Sequence, residues 1–212
     1  MQREESGTKP TSRGAFRNSA GISRRAFVAA STLVFIAPDS AWAKSKRPVK
    51  RYTLKVPGSS IEAGGARGGV QAPNAIVTEV VTDFASYSRF IEKVENSRVV
   101  AQREASTDMY FEIPILHGLT KVWAVVRFAP PTKQGSSYVI AGRMIKGNSK
   151  RLDITWRLQR LSGNATVLTA ELLLDMKLPA PDSMVLKTVS RAAHRAMTGA
   201  ASEAERRYAA RS

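Results

Sequence analysis

Tyr110 and Glu112 stand two residues apart in the run DMYFEIPIL, a spacing that puts both side chains on one face of a strand. A carboxyl beside a phenol has the groups needed for proton transfer. His117, Arg143 and Asp153 are the other side chains able to move a proton or hold an anion. They do not assemble into a nucleophile, a base and an orienting group. The chain contains no cysteine, which excludes disulfides, thiolate metal sites and a cysteine nucleophile. His117 and His194 lie far apart with no ligand spacing, so no protein metal centre is expected. GGARGG at 64–69 lacks the lysine and the following helix of a phosphate-binding loop. No catalytic residue and no cofactor is assigned, and binding is favoured over catalysis.

The elements that must position these residues are read from periodicity. Residues 61–71 form a first strand, weakened by Gly64, Gly65, Gly68 and Gly69. Pro73 opens a helix over Ile76, Val77, Val80 and Val81, and a second short helix carries Phe84 to Ile91. Six strand-like runs follow: VENSRVVAQREA, DMYFEIPIL, TKVWAVVRFA, SYVIAGRMIK, RLDITWRLQRL and ATVLTAELLLDM. The turns between them are short, Gly147-Asn148 and Ser162-Gly163-Asn164 among them, which forces antiparallel neighbours. In RLDITWRLQRL, Leu152, Ile154, Trp156 and Leu158 alternate with polar residues, so one sheet face is buried and one is wet. Pro179 and Pro181 end the sheet. A helix over 182–209 then places Val185, Val189, Ala192, Ala193, Ala196 and Ala200 on one stripe, with Asp182 as its N-cap. At 1.5 Å per residue it is about 40 Å long, enough to cross the sheet. The pattern predicts an α+β helix-grip fold, a curved antiparallel sheet wrapped on a long C-terminal helix with two short helices near the start.

Ahead of this domain the chain reads SRRAF, then the apolar run FVAASTLVFIA, then AWA at 41–43. Arg24 and Arg25, an apolar stretch of about a dozen residues and a small-x-small site ending at Ala43 describe a twin-arginine type signal peptide over 1–43. A bilayer span needs about 20 apolar residues, so a permanent anchor is the weaker reading. Residues 44–60 are basic and read as a linker, and 61–212 form the domain. The expected location is therefore the periplasm or the exterior, as a soluble protein.

The stretch APNAIVTEVVTDFASYSRFIEKVENSRVV resembles the START-related polyketide cyclase superfamily (SRPBCC), and within it the coenzyme Q-binding-protein-like group. The resemblance rests on Ala72-Pro73, Val77, Val81, Asp83, Tyr87, Phe90, Val94, Ser97 and Val99, with Glu92 standing where proline is usual. It implies the same helix-grip fold and an apolar pocket for lipids, quinones, sterols or polyketides. Two functions follow as expectations: carriage or sequestration of a hydrophobic small molecule, or a polyketide cyclase/aromatase-like enzyme. Phe84, Tyr87 and Phe90 then have two compatible readings, packing of the short helices onto the sheet and lining of a cavity mouth. Alanines opposite a curved sheet fill little volume. Val189, Ala193 and Ala196 are therefore expected on one cavity wall, with Tyr110, Trp123, Met144 and Trp156 on the other. Val122, Ala124 and Val126 compete with Trp123 for the interior.

The chain carries 33 Lys+Arg against 17 Asp+Glu, a net charge of +16, and only six of the basic residues precede Lys44. Such an excess favours polyanions. An exported protein without interleaved aromatic and basic residues is not expected to meet nucleic acid. Lys187, Arg191 and Arg195 recur every four residues beside the alanine stripe. They form either a solvated face or a contact for anionic lipid headgroups.

Overall fold

In a computed structural model the described residues are 48–56, 61–115, 118, 120–177 and 181–212. The segment over 1–43 expected to be a signal peptide, with Arg24, Arg25 and Ala43, lies outside them, as does His117. Nine strands, β1 (Lys50–Lys55), β2 (Glu62–Val70), β3 (Asn96–Arg103), β4 (Ser106–Ile115), β5 (Thr120–Phe128), β6 (Thr132–Gln134), β7 (Ser137–Gly147), β8 (Arg151–Ser162) and β9 (Ala165–Asp175), form one antiparallel sheet. Its order is β1-β2-β9-β8-β7-β5-β4-β3, with β6 paired to β7. Between β2 and β3 lie α1 (Asn74–Thr82), a 3-10 turn (Phe84–Ser86) and α2 (Tyr87–Phe90). The chain ends in α3 (Asp182–Ala209), which crosses the sheet's concave face.

The helix-grip architecture is as expected, with two strands more than the sequence pattern announces. Residues 50–55, read as linker, form edge strand β1, registered from Lys50 opposite Arg67 to Lys55 opposite Glu62. Basic side chains are common on sheet edges, where they discourage pairing with another chain, so KRYTLK is strand and solvated surface at once. The three-residue β6 lies inside the loop PPTKQGS and turns back on β7 at Gly135, whose φ is +59°. Asp182 is the first helical residue of α3 and makes no side-chain cap. Pro181 precedes it as the N-cap.

Alternation works out as read in β8, where Leu152, Ile154, Trp156 and Leu158 are all buried. In register with them, Leu168, Ala170, Leu172 and Leu174 of β9 face the same core. Phe84 stacks on Phe128 with ring centroids 4.4 Å apart and meets Tyr87 edge-on at 5.8 Å. Such pairs add about 0.5–1.5 kcal/mol to the burial of their area. The aromatic cluster at the start of the domain thus holds the short helices against the sheet.

Gly64 and Gly68 of β2 are the contact surface for α3. A Cβ on Gly64 would lie 2.5 Å from the Ser190 backbone nitrogen, and one on Gly68 would lie 2.7 Å from the Met197 methyl carbon. On the helix's other flank, a Cβ on Gly199 would come 2.1 Å from the Phe90 carbonyl oxygen. The C-terminal end of α3 is tied down by charge. Arg207 bonds Asp83 at 2.6 Å and Glu203 at 2.7 Å, Arg211 bonds Glu79 at 2.9 Å, and Glu205 accepts the Gln71 backbone N–H at 2.8 Å.

These contacts make Gly199→Ala a test of how tightly α3 is seated. Overpacking of this kind costs about 1–3 kcal/mol, so the urea midpoint should fall clearly. Gly163→Ala, in a turn with nothing within 4 Å of the added carbon, should leave the midpoint nearly unchanged. Equal midpoints for the two variants would refute the close seating.

Candidate functional site

Where α3 leaves the sheet's glycine end, the concave face is not fully covered. An apolar cleft opens there between α2, the turn after it, β4, β8 and α3. Its floor is Met109, Phe111 and Ile113 of β4 with Ile154 and Trp156 of β8. These inward positions repeat every second residue, as a strand with one buried face demands. Tyr87, Ile91 and Val94 wall it on the side of the short helices, and Ala192 and Ala196 on the side of α3. At the rim stand Glu92, Lys93 and Arg195.

The enclosed space amounts to about 50 Å³. A water molecule's share of liquid volume is about 30 Å³, so the cleft is a narrow slot and not a preformed lipid chamber. The alanine stripe leaves less room than expected because glycines, not leucines, lie beneath it: Ala193 and Ala200 are completely buried against the sheet. Volume remains only at Ala192 and Ala196, beyond the glycine contact.

Inside the cleft the polar groups are few. Tyr87 meets Trp156 edge-on, centroids 6.3 Å apart, and donates its hydroxyl hydrogen to the Val81 carbonyl. Burial pushes the Tyr87 phenol far above its usual range, so it stays protonated as a donor. The Trp156 indole N–H approaches the Tyr87 hydroxyl without completing a hydrogen bond of good geometry. Among the described residues no three His, Asp or Glu side chains gather to hold a metal ion.

Of the expected wall residues, Tyr87, Trp156 and Ala196 line the cleft. Phe84, Phe90, Val189, Ala193 and Met144 pack in or against the core without lining it. Tyr110 and Trp123 do not belong to the interior. In register, Phe111 faces Ala124 and Met109 faces Val126, both inward, so Tyr110, Glu112 and Trp123 point to the convex face. There the Tyr110 and Trp123 rings stack at 6.4 Å and Arg98 lies 4.7 Å over the Tyr110 ring. The Tyr110–Glu112 pair therefore cannot act on anything held in the cleft. The wall residues missed from sequence were legible in β4, whose Met109–Phe111–Ile113 alternation marks its inner face.

The convex face is electrostatically built. Asp108 sits between Arg103 at 2.6 Å and Arg127 at 2.7 Å. Asp153 sits between Arg151 and Arg143, and Glu171 between Arg157 and the Tyr52 hydroxyl. Arg143 and Asp153, considered as chemistry-bearing residues, serve this ladder and not a reaction centre. Hydrogen bonds from Arg127, joined by those from Arg103, hold the Asp108 carboxyl well below the usual carboxylate range against the opposing effect of burial. On α3, Arg206 and then Arg207 bring Glu203 down to about 2, again against burial.

Residues 70–200 match the family model described as polyketide cyclase / dehydrase and lipid transport. The chain belongs to that family. A comparison with curated protein sequences finds no match. Among solved structures, it is similar to the STAR-related lipid transfer protein from Xanthomonas axonopodis, with TM-score 0.62, 14% identity, 76% of this chain and 99% of that one covered. The human StAR-related lipid transfer protein 5 gives TM-score 0.63 at 8% identity over 79% and 91%. The Zhui aromatase/cyclase from Streptomyces sp. R1128 gives 0.54 at 18% over 76% and 95%. At these identities the likeness is one of fold, and both kinds of neighbour share it.

The ion-pair ladder sets a pH dependence. A carboxyl with a depressed folded pKa stabilises the fold above its unfolded value, about 3.9 for Asp and 4.3 for Glu, and that stabilisation is lost as pH falls through the folded value. The urea midpoint should drop between pH 5 and pH 2, and Asp108→Asn should show a smaller drop than the parent. Equal drops in the two proteins would show that Asp108 does not contribute.

Proposed function

We propose that this protein binds a hydrophobic small molecule, lipid-, sterol- or quinone-like, in the cleft between sheet and α3, and carries or sequesters it unchanged. The observation that carries this reading is the cleft itself: apolar side chains from α2, β4, β8, β9 and α3 converge on one opening, and the candidate proton-transfer pair Tyr110–Glu112 lies on the opposite face of the sheet. Membership of a family described as including lipid transport supports it, and the resemblance to the coenzyme Q-binding-like group adds the quinone to the ligand classes. The slot is narrower than such a ligand, so binding requires its rim to part. The 91–95 turn between α2 and β3 is the short segment that would move.

The rest of the proposal concerns place. The twin-arginine type reading of the leading segment and the small-x-small site ending at Ala43 support a working protein in the cell envelope, released from its signal. Lys187 and Arg191 are exposed on α3 and Arg195 continues their line to the rim. Together they would draw the rim towards an anionic membrane, at about 1 kcal/mol per basic residue near the surface. N-terminal sequencing of the protein from the envelope fraction should begin at Lys44. Recovery of the intact chain in the membrane would overturn the location.

The decisive experiment is native mass spectrometry and solvent extraction of protein purified from its own envelope. A lipid, sterol or quinone recovered unchanged supports carriage, whereas turnover of a polyketide-like substrate would make the protein an aromatase/cyclase-like enzyme. Ala196→Trp places an indole in the slot and should abolish uptake of an apolar fluorescent probe, while far-UV circular dichroism stays that of the parent. Ala196→Leu should weaken uptake less. A folded Ala196→Trp that binds the probe as well as the parent would move the site elsewhere.

A further inference from the structure

Three arginines among the described residues are half-buried: Arg151, Arg195 and Arg207. Arg151 is held by Asp153 at 2.5 Å, and Arg207 by Asp83 and Glu203. Arg195 differs. Its guanidinium makes no ion pair or hydrogen bond with any described residue, although it stands at the rim of the apolar cleft beside Ala192 and Ala196. Arg195 as a residue is partly withdrawn from water, and an unpaired guanidinium at the edge of an apolar cleft can take an arriving anion with two charge-assisted bonds.

A second cation shares the rim. Lys93 is exposed, likewise without an acidic partner among the described residues, and has φ +72°, the left-handed region that a non-glycine residue seldom occupies. Local strain of this kind, worth about 1–3 kcal/mol, concentrates at binding and switching sites. Among the described residues Glu92 is the only carboxylate lining the opening, so the rim carries two positive charges against one negative.

We infer that the cleft mouth, through Arg195 and Lys93, receives the carboxylate of a single-chain, fatty-acid-like amphiphile whose hydrocarbon chain enters between Met109, Ile113 and Trp156. The rim's single excess positive charge matches a monoanionic head better than a doubly charged phosphate monoester. The width of the slot points to a chain and not a ring system. An alkyl chain can thread past Met109, whose unbranched thioether re-packs readily, whereas a fused ring would have to displace Trp156 and Phe111 together. The inference rests on the cleft's being the ligand site and adds the ligand's charge and shape.

The test is fluorescence titration with cis-parinaric acid and with its methyl ester, which differ only at the head. The parent should bind the acid about tenfold more tightly than the ester, the step expected for one charge-assisted contact. Arg195→Gln should remove that preference by weakening the acid alone, Arg195→Lys should retain part of it, and Glu92→Gln should strengthen the acid alone. Each variant's urea midpoint should match the parent's, separating a binding effect from a folding one. Equal affinity of the parent for acid and ester, or equal weakening of both by Arg195→Gln, would overturn the carboxylate assignment while leaving an apolar ligand site. A parent that binds neither probe would overturn the assignment and count against the cleft itself.

Discussion

Everything on the concave side of this protein depends on how close α3 comes to β2. Gly64 meets the helix backbone at Val189 and Ser190, Gly68 meets Met197, and Gly199 meets the carbonyl of Phe90. At Gly64 and Gly199 no side chain stands between the backbones, and at Gly68 only the Met197 side chain does, so the helix position is fixed largely by main-chain contact. The sheet can then curl around it, with Ala193, Ala200 and Ala204 completely buried. Glycine in a strand ordinarily weakens it. Here the lost side chains are what allows the two layers to touch, and the affected strand is supported by pairing on both edges, with β1 and β9.

The same seating decides where open space survives. On the glycine side the helix is flush with the sheet. Beyond it, the larger side chains of β4 and β8 hold the layers apart, and the gap opens beside α2. The two faces of the sheet then have separate work. The inner face is apolar and adjustable, while the outer face is cross-linked by arginines bracketing Asp108, Asp153 and Glu171.

Much of this was legible in the sequence where a period was long and clean. The alternation of β8 and the alanine stripe of α3 identify their buried faces without ambiguity. β1 was not legible, because its residues are those of a solvated linker and only the pairing with β2 makes them a strand. Trp123 and Tyr110 were misplaced for a related reason. An aromatic residue looks like core by type, but in β5 the smaller Val122, Ala124 and Val126 hold the inward positions and Trp123 is left outside to stack on Tyr110. The alanines were read for the space they leave and not for the glycines opposite. That complementarity links residues more than a hundred positions apart, so no local pattern records it. The cleft inherits the error: Tyr87, Trp156 and Ala196 were found, while the inner face of β4 was read only as a strand.

The pairing of β2 with β9 has a consequence for how the molecule is made. The strand synthesised second in the domain waits for the strand synthesised last, and the helix that covers both follows later still. Until β9 is made, β2 lacks a neighbour on one side, and until the 28-residue α3 follows, the sheet presents an uncovered trough of leucine, isoleucine and tryptophan. Contacts this distant along the chain form slowly and leave sticky intermediates in the interval. A chain cut short before α3 would be a half-pipe with a greasy interior, prone to self-association. α3 is thus the sheet's own chaperone, made after the surface it shields is already complete.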